Sequence, residues 1–177
     1  FNGTNNGGMA DSADGGYRIL PSSGANVIMY FNNKRQYAYN GSVCIAVATG
    51  VSDTRMDMLV GFSADSEFSG GTTDKSVYKS DNGGGSLKMN TSDGSTETAT
   101  STTRGSPIAS SFHNGTFITV KIENNASSTQ FSINGVVDGT ITTTFPNADM
   151  QPAMEVRSIS GDGDDYGAIR YLEAYNT

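Results

Sequence analysis

The chain has 177 residues, enough for one β-sandwich core, and only 35% of them are hydrophobic; Gly, Ser, Thr and Asn abound, which suits many short strands joined by tight turns and disfavours long helices. Its formal charge of −7 and pI near 4.5 come without any Lys/Arg cluster, so no surface is built to release counterions from a phosphate backbone; nucleic acid is not an expected partner, and the N-terminus lacks the basic arm of a genome-packaging capsid subunit. No apolar run approaches the roughly 20 residues of a membrane-spanning helix, so membrane insertion is not expected, and the lone Cys44 excludes an intrachain disulfide.

In chain order, residues 1–16 carry Asn5-Asn6-Gly7-Gly8 and Asp14-Gly15-Gly16 without apolar periodicity and are expected as loop or a short edge strand. Tyr17 to Leu20 and Asn26 to Phe31 follow as two strands, separated by Pro21 and Gly24. Residues 42–49 alternate Val43, Ile45 and Val47 with Cys44, Ala46 and Ala48, so both faces are apolar and the strand belongs near the centre of a sheet, with Cys44 a buried, inert thiol. Arg55 to Phe62 is the next strand. Residues 63–111 are rich in Ser, Thr, Gly and Asp, with apolar islands at Val77-Tyr78 and Leu87-Lys88-Met89; the run Thr96 to Thr103 has neither Pro nor Gly and is expected as a strand.

The pattern sharpens from Thr116. Ile118, Val120 and Ile122 alternate with Thr119, Lys121 and Glu123, the mark of a half-buried strand. Asn134-Gly135 after Phe131-Ser132-Ile133 signals a two-residue hairpin, because both central residues of that turn need positive φ. Asp138-Gly139 is a second turn signal or a bulge, and Phe145-Pro146 ends the segment. Gln151 to Ser158 and Tyr166 to Tyr175 close the chain, the latter with Ile169 and Tyr171 expected on one face and Arg170 and Leu172 on the other. The count is roughly 12 strands, with no fixed-period repeat. The expected fold is all-β, a two-sheet antiparallel jelly-roll sandwich with little or no helix, formed by residues 1–177 as a single domain.

The order Phe117-Ile118-Thr119-Val120-Lys121-Ile122-Glu123, then Phe131-Ser132-Ile133-Asn134-Gly135-Val136-Val137, then Pro146, Met154-Glu155-Val156-Arg157 and Ala168-Ile169-Arg170-Tyr171-Leu172 resembles the concanavalin A-like lectin/glucanase superfamily, particularly domains of that type in phage tail and capsid-surface proteins. The detailed likeness covers a little over a third of the chain. A Trp often found in such domains where Phe112 or Phe117 stands is missing here, and residues 17–111 match in strand order alone.

Glycosidases of that superfamily carry catalytic acids as E-x-D-x-x-E on one strand, because the two carboxyls must flank one glycosidic bond. The chain has no such motif. Asp65-Ser66-Glu67 is the nearest approach and is expected in a loop, while Asp57 is a lone carboxylate on a strand, facing solvent or pairing with a base. His113, the single histidine, supports neither a triad nor a multi-His zinc site, and Gly83-Gly84-Gly85 lacks the Lys of a phosphate cradle. Asp162, Asp164 and Asp165 lie in one acidic loop and are weak candidates for part of a calcium shell, ordinary turn chemistry being the competing reading; no other cofactor is expected. Sugar recognition combines an aromatic platform with polar groups, and Tyr166 with Asp162 and Asp165 is the combination singled out, with Tyr37, Tyr39 and Tyr78 as further aromatics. Sequons at Asn2, Asn40, Asn90, Asn114 and Asn125 do not by themselves imply glycosylation.

The resemblance and the missing catalytic signature lead to the expectation of a non-enzymatic domain at a virion surface or otherwise extracellular: a capsid decoration or fibre protein, partnered by other subunits of its assembly, as a homotrimer, and by host glycans. The alternatives are a polysaccharide-cleaving hydrolase or lyase on the same fold, motivated by Asp57, Asp65 and Glu67, and a secreted carbohydrate-binding module.

Overall fold

The computed structural model describes residues 2–5, 7–11, 16–21, 26–30, 35–51, 56–64, 73–81, 86–102, 115–158 and 166–177. These form fourteen strands and no helix: β1 (Asn2–Asn5), β2 (Gly7–Asp11), β3 (Tyr17–Pro21), β4 (Asn26–Tyr30), β5 (Gly41–Val51), β6 (Met56–Ser63), β7 (Lys75–Asp81), β8 (Ser86–Ser92), β9 (Glu97–Ser101), β10 (Ile118–Asn125), β11 (Ser128–Ile133), β12 (Val136–Ile141), β13 (Gln151–Ser158) and β14 (Tyr166–Asn176). They pair antiparallel into two seven-stranded sheets. The first runs β1-β4-β13-β6-β7-β8-β9 and the second β12-β11-β10-β5-β14-β3-β2. The all-β jelly-roll sandwich expected from the sequence is therefore the fold, with two more strands than the sequence suggested. The opening residues supply an edge strand to each sheet, and the Thr-rich run supplies the far edge of the first, as β9.

The core lies between the sheets and follows directly from strand alternation. In β10 every second residue is buried, as its sequence pattern requires. Met58, Val60, Tyr78, Leu87, Met89, Met154 and Val156 from the first sheet meet Ala46, Ala48, Ile118, Val120, Ile122, Phe131, Ile133 and Ile169 from the second. Each large aliphatic or aromatic side chain removed from water here contributes on the order of 1.5–3 kcal/mol. Tyr78 and Phe131 pack edge to face, their centroids 5.2 Å apart, the arrangement that ring quadrupoles favour. β5 is the central strand of its sheet and turns its small residues, Cys44, Ala46 and Ala48, toward the core.

Local chemistry sets the irregularities. Asn134 (φ 50°) and Gly135 (φ 78°) both adopt the left-handed region, the turn that Asn-Gly favours. On β12 the pairing jumps from Phe131↔Gly139 to Ser132↔Val137, so Asp138 is the extra residue of a bulge. A second bulge corrects one expectation. Ile169 pairs with Ala48 and Tyr171 with Val47, leaving Arg170 unmatched, so the alternation slips: Tyr171 is exposed and Leu172 turns to the core. Arg170 instead stacks its guanidinium 3.8 Å above the ring of Phe117.

Candidate functional site

The second face of the first sheet, turned away from the core, carries the chemistry. Because side chains alternate, the core-facing residues Met58, Val60, Tyr78, Met89, Met154 and Val156 force their neighbours outward, and the strand registers arrange those neighbours in rows across the sheet. One row runs Gln151–Ser63–Lys75–Ser92–Glu97, the next Ala153–Gly61–Val77–Asn90–Ala99, the third Glu155–Leu59–Lys79–Lys88–Ser101, and Arg157–Asp57 begins a fourth. Rows are about 7 Å apart and strands about 4.8 Å. Apart from Asn90 the second row is a strip of short or apolar side chains, and apart from Leu59 the rows on both sides of it are polar and charged. Gly61 has φ of +147°, and a Cβ there would lie 2.4 Å from the carbonyl oxygen of Ser76 and 2.6 Å from Cδ1 of Ile122 in the core.

This face is polar and yet largely withdrawn from solvent. Gln151, Ser63, Lys75, Ser92, Asn90 and Glu155 are all buried, while Lys79, Lys88 and Asp57 are half-buried. Leu59, Val77 and Ala153 form an apolar cluster of their own at its centre, separate from the core. Burying an ammonium group is costly unless it is paired, and Lys75 Nζ lies 2.6 Å from Oε2 of Glu97. Asn90 Nδ2 donates to Oε1 of the same carboxylate at 2.7 Å. Burial acts to raise the pKa of Glu97, but the bonds from Lys75 and Asn90 and the charges of Lys75 and Lys79 outweigh it, and the net shift is downward from the ordinary glutamate value.

A carboxylate only accepts hydrogen bonds, so Glu97 fixes the orientation of the Asn90 amide and leaves its Oδ1 facing away. That oxygen is buried and has no hydrogen-bond partner within the protein, and the same is true of Oε1 of Gln151. An unmet buried acceptor costs about 1–3 kcal/mol. Ser76 Oγ and Thr91 Oγ1, at positions that alternate with the outer-face ones on β7 and β8, are buried and unmet as well.

Of the described residues singled out by sequence, one stands on this face. Tyr166 opens β14 in the second sheet, opposite Val51, and the guanidinium of Arg18 covers its ring at 4.3 Å. Asp162, Asp164, Asp165, Asp65, Glu67 and His113 lie outside the described residues. Tyr78 is fully buried in the core, and Tyr37 packs against Phe62 with centroids 5.9 Å apart. Asp57 is the exception: it stands on the outer face, opposite Arg157. Among the described residues no group of three His, Cys, Asp or Glu side chains is placed to hold a metal ion. Cys44 is buried, and desolvation pushes its thiol up to about 12, which makes it inert. Of the sequons, Asn90 is buried, whereas Asn40 and Asn125 are exposed.

Glu155, Lys75, Lys79, Lys88, Asn90 and Gln151 were not reached from sequence. The signal was present in Gln151-Pro152-Ala153-Met154-Glu155-Val156-Arg157, where polar residues alternate with apolar ones, and again in Lys75-Ser76-Val77-Tyr78-Lys79. What joins them is register across four strands, which no local pattern contains.

No protein-family model and no curated protein matches the chain. Solved structures do match in fold. Alginate lyase A1-II′, described as a member of polysaccharide lyase family 7, superposes with a TM-score of 0.62 at 8% identity, covering 96% of this chain and 83% of its own. The β-glucanase of Bacillus licheniformis gives 0.64 at 12% identity, covering 96% and 82%. The carbohydrate-binding module CBM66 from Bacillus subtilis gives 0.61 at 8% identity, covering 97% and 92%. At these identities the likeness establishes the fold, the jelly-roll sandwich of glucanases and their structural relatives. It also corrects the expectation of a non-enzymatic domain: enzymes are built on this fold, so a missing E-x-D-x-x-E motif does not argue against catalysis. That motif covers only carboxylates within one strand, whereas here Glu155 and Asp57 come from two strands. The virion role draws no support from these likenesses, and the polysaccharide-related alternative fits them better.

Proposed function

We propose that this chain binds a polysaccharide across the outer face of the first sheet and cleaves it there, with Glu155 transferring the proton. The observation that carries this reading is the row arrangement: a strip of mostly short side chains that includes the unmet amide acceptor of Asn90, with Gln151 and Lys75 in the row on one side and Glu155, Lys79 and Lys88 in the row on the other. Fold likeness to an alginate lyase, a β-glucanase and a carbohydrate-binding module supports the reading from a second direction.

Glycosidic hydrolysis needs one carboxyl to protonate the leaving oxygen and a second to activate water. Glu155 on β13 and Asp57 on β6 are diagonal neighbours across one strand pair, positions about 7–8 Å apart with somewhat less between the Cβ atoms. Hydrolysis with inversion uses two carboxyl groups roughly 6.5–9.5 Å apart, the separation these two side chains would have to adopt from that spacing. Glu155, the more enclosed of the two, serves as the acid and Asp57, nearer solvent, as the base.

The test is incubation with a panel of neutral and acidic polysaccharides, following reducing ends and chain length. Glu155→Gln is expected to lower the rate at least 100-fold while retaining polymer binding and melting temperature. An ultraviolet-absorbing, unsaturated product would replace hydrolysis by elimination and remove Asp57 from its role. Full activity in Glu155→Gln, or no cleavage of any polymer, would refute the proposal.

A further inference from the structure

We infer that the chain holds a neutral polysaccharide on a second surface, the outer face of the second sheet, by stacking it on Tyr171 and Tyr175; the ligand class rests on the reading proposed above, the site does not. After the bulge at Arg170, Tyr171, Glu173 and Tyr175 of β14 turn away from the core in one file, opposite Val47, Ile45 and Val43 of β5. Tyr171 is 47% exposed and Tyr175 41%. A single apolar side chain at a surface needs no explanation. Here two aromatic rings share one file, about 13 Å apart along the strand. That span exceeds a single sugar unit, so a ligand that touches both is an oligosaccharide or a polymer.

Charge selects the kind of ligand. The hydroxyl of Tyr171 donates to Oε2 of Glu173, which ties the ring to its neighbour in the file and lowers the entropy that binding must remove. On β10, across β5 from the file, Lys121 Nζ lies 2.8 Å from Oε1 of Glu123, and Arg170 stacks on Phe117. The charges around the tyrosines therefore balance, Glu173 and Glu123 against Lys121 and Arg170, in a chain whose net charge is −7. A charged polymer gains nothing from such a surface, and a second copy of the chain is repelled by the net charge of the first. Uncharged hydroxyls fit it: they donate to the carboxylates and leave the rings to the C–H groups of the sugar.

Size separates a sugar from a protein partner. At Tyr171 the file meets an open pocket of about 50 Å³ lined by Tyr17, Ile169, Arg170, Tyr171 and Leu172. A cavity that admits benzene measures about 150 Å³, so this one excludes the aromatic side chains that anchor protein interfaces. A hydroxymethyl group, or another small substituent of a sugar, enters it. The tyrosines lie on the sheet opposite the one that carries Glu155, so polymer held on them leaves the proposed cleavage face open, and attachment is separate from cleavage.

The experiment uses the full chain with a soluble neutral β-glucan and a polyuronate of matched length. Binding is measured by calorimetry for wild type, Glu155→Gln, the pair Tyr171→Ala with Tyr175→Ala, and the pair Tyr171→Phe with Tyr175→Phe. The expected result is a class of glucan sites that Glu155→Gln retains, that the phenylalanine pair retains because it keeps the rings, and that weakens at least about tenfold in the alanine pair. Wild type that binds no glucan, or prefers the polyuronate, overturns the inference and needs no variant to fold. A folded alanine pair whose glucan titration superimposes on that of wild type also overturns it, as does a wild-type dimer in sedimentation that the alanine pair abolishes, since a second copy then covers the tyrosines. Tyrosine-dependent binding without cleavage of any polymer keeps this site and removes the cleavage reading; cleavage without tyrosine-dependent binding does the reverse.

Discussion

The hydroxyl of Tyr78, on the first sheet, donates to Oδ2 of Asp138 in the second at 3.3 Å, while Thr102 Oγ1 donates to Oδ1 of the same carboxylate at 2.8 Å. The bulge on β12 makes this possible by turning Asp138, which is 4% exposed, into the sandwich. Hydrogen bonds to a charged acceptor contribute about 1.5–3 kcal/mol each. Asp138→Ala removes the acceptor from both hydroxyls and is expected to destabilise the fold by about 2–4 kcal/mol. In a domain of this size that lowers the melting temperature by roughly 4–16 °C, which calorimetry would measure. A change below about 1 °C would mean the clip adds nothing.

Acid sensitivity follows from Glu97. Its folded pKa is depressed because Lys75, Asn90 and Lys79 favour the charged form more than burial opposes it. The unfolded chain therefore takes up the proton first, so the stabilisation is fully present above the ordinary glutamate value of about 4.3 and is lost as pH falls through the lower, folded value. Asp93, which accepts bonds from the backbone of Thr96 and Ser95, is depressed as well and adds to the same acid limb. Melting temperatures between pH 7 and pH 3 should fall less steeply in Glu97→Gln than in wild type; parallel curves would exclude this origin.

Two glycine substitutions separate conformational strain from collision. Gly135→Ala at the hairpin meets no atom within 4 Å but keeps φ at +78°, and should cost about 1–2 kcal/mol from that conformation alone. Gly61→Ala adds a Cβ 2.4 Å from backbone oxygen on the neighbouring strand, so the first sheet must part from its register. It should cost distinctly more, and urea denaturation of the two variants gives the order.

Cys44 should be unreactive in the native protein. With its thiol at about 12, the thiolate fraction at pH 8 is about one in ten thousand, and the side chain is buried as well. A chromogenic thiol reagent should label it only in denaturant. Fast native labelling would show that β5 opens.

Asn134-Gly135, the alternation in β10 and the two-sided apolar character of β5 were legible because each depends on residues adjacent in the chain: turn geometry, strand period and burial are local consequences of side-chain size and polarity. The slip at Arg170 was not, since a bulge is chosen by how β14 must meet β5. The candidate face was legible only in pieces. Asp57 drew attention as a carboxylate on a strand, but its partnership with Glu155, and the opposition of Lys79 to Lys88, depend on register.

The sequence by itself determined an all-β sandwich, through alternation, turn residues and the shortage of helix-forming apolar stripes, and it determined the acidic charge. Tertiary structure decided which charged side chains share a face. Asp57 and Arg157 share one face because β6 to β9, consecutive in the chain, lock beside the distant β13 through backbone hydrogen bonds, and the core-facing half of each strand dictates the direction of the other half.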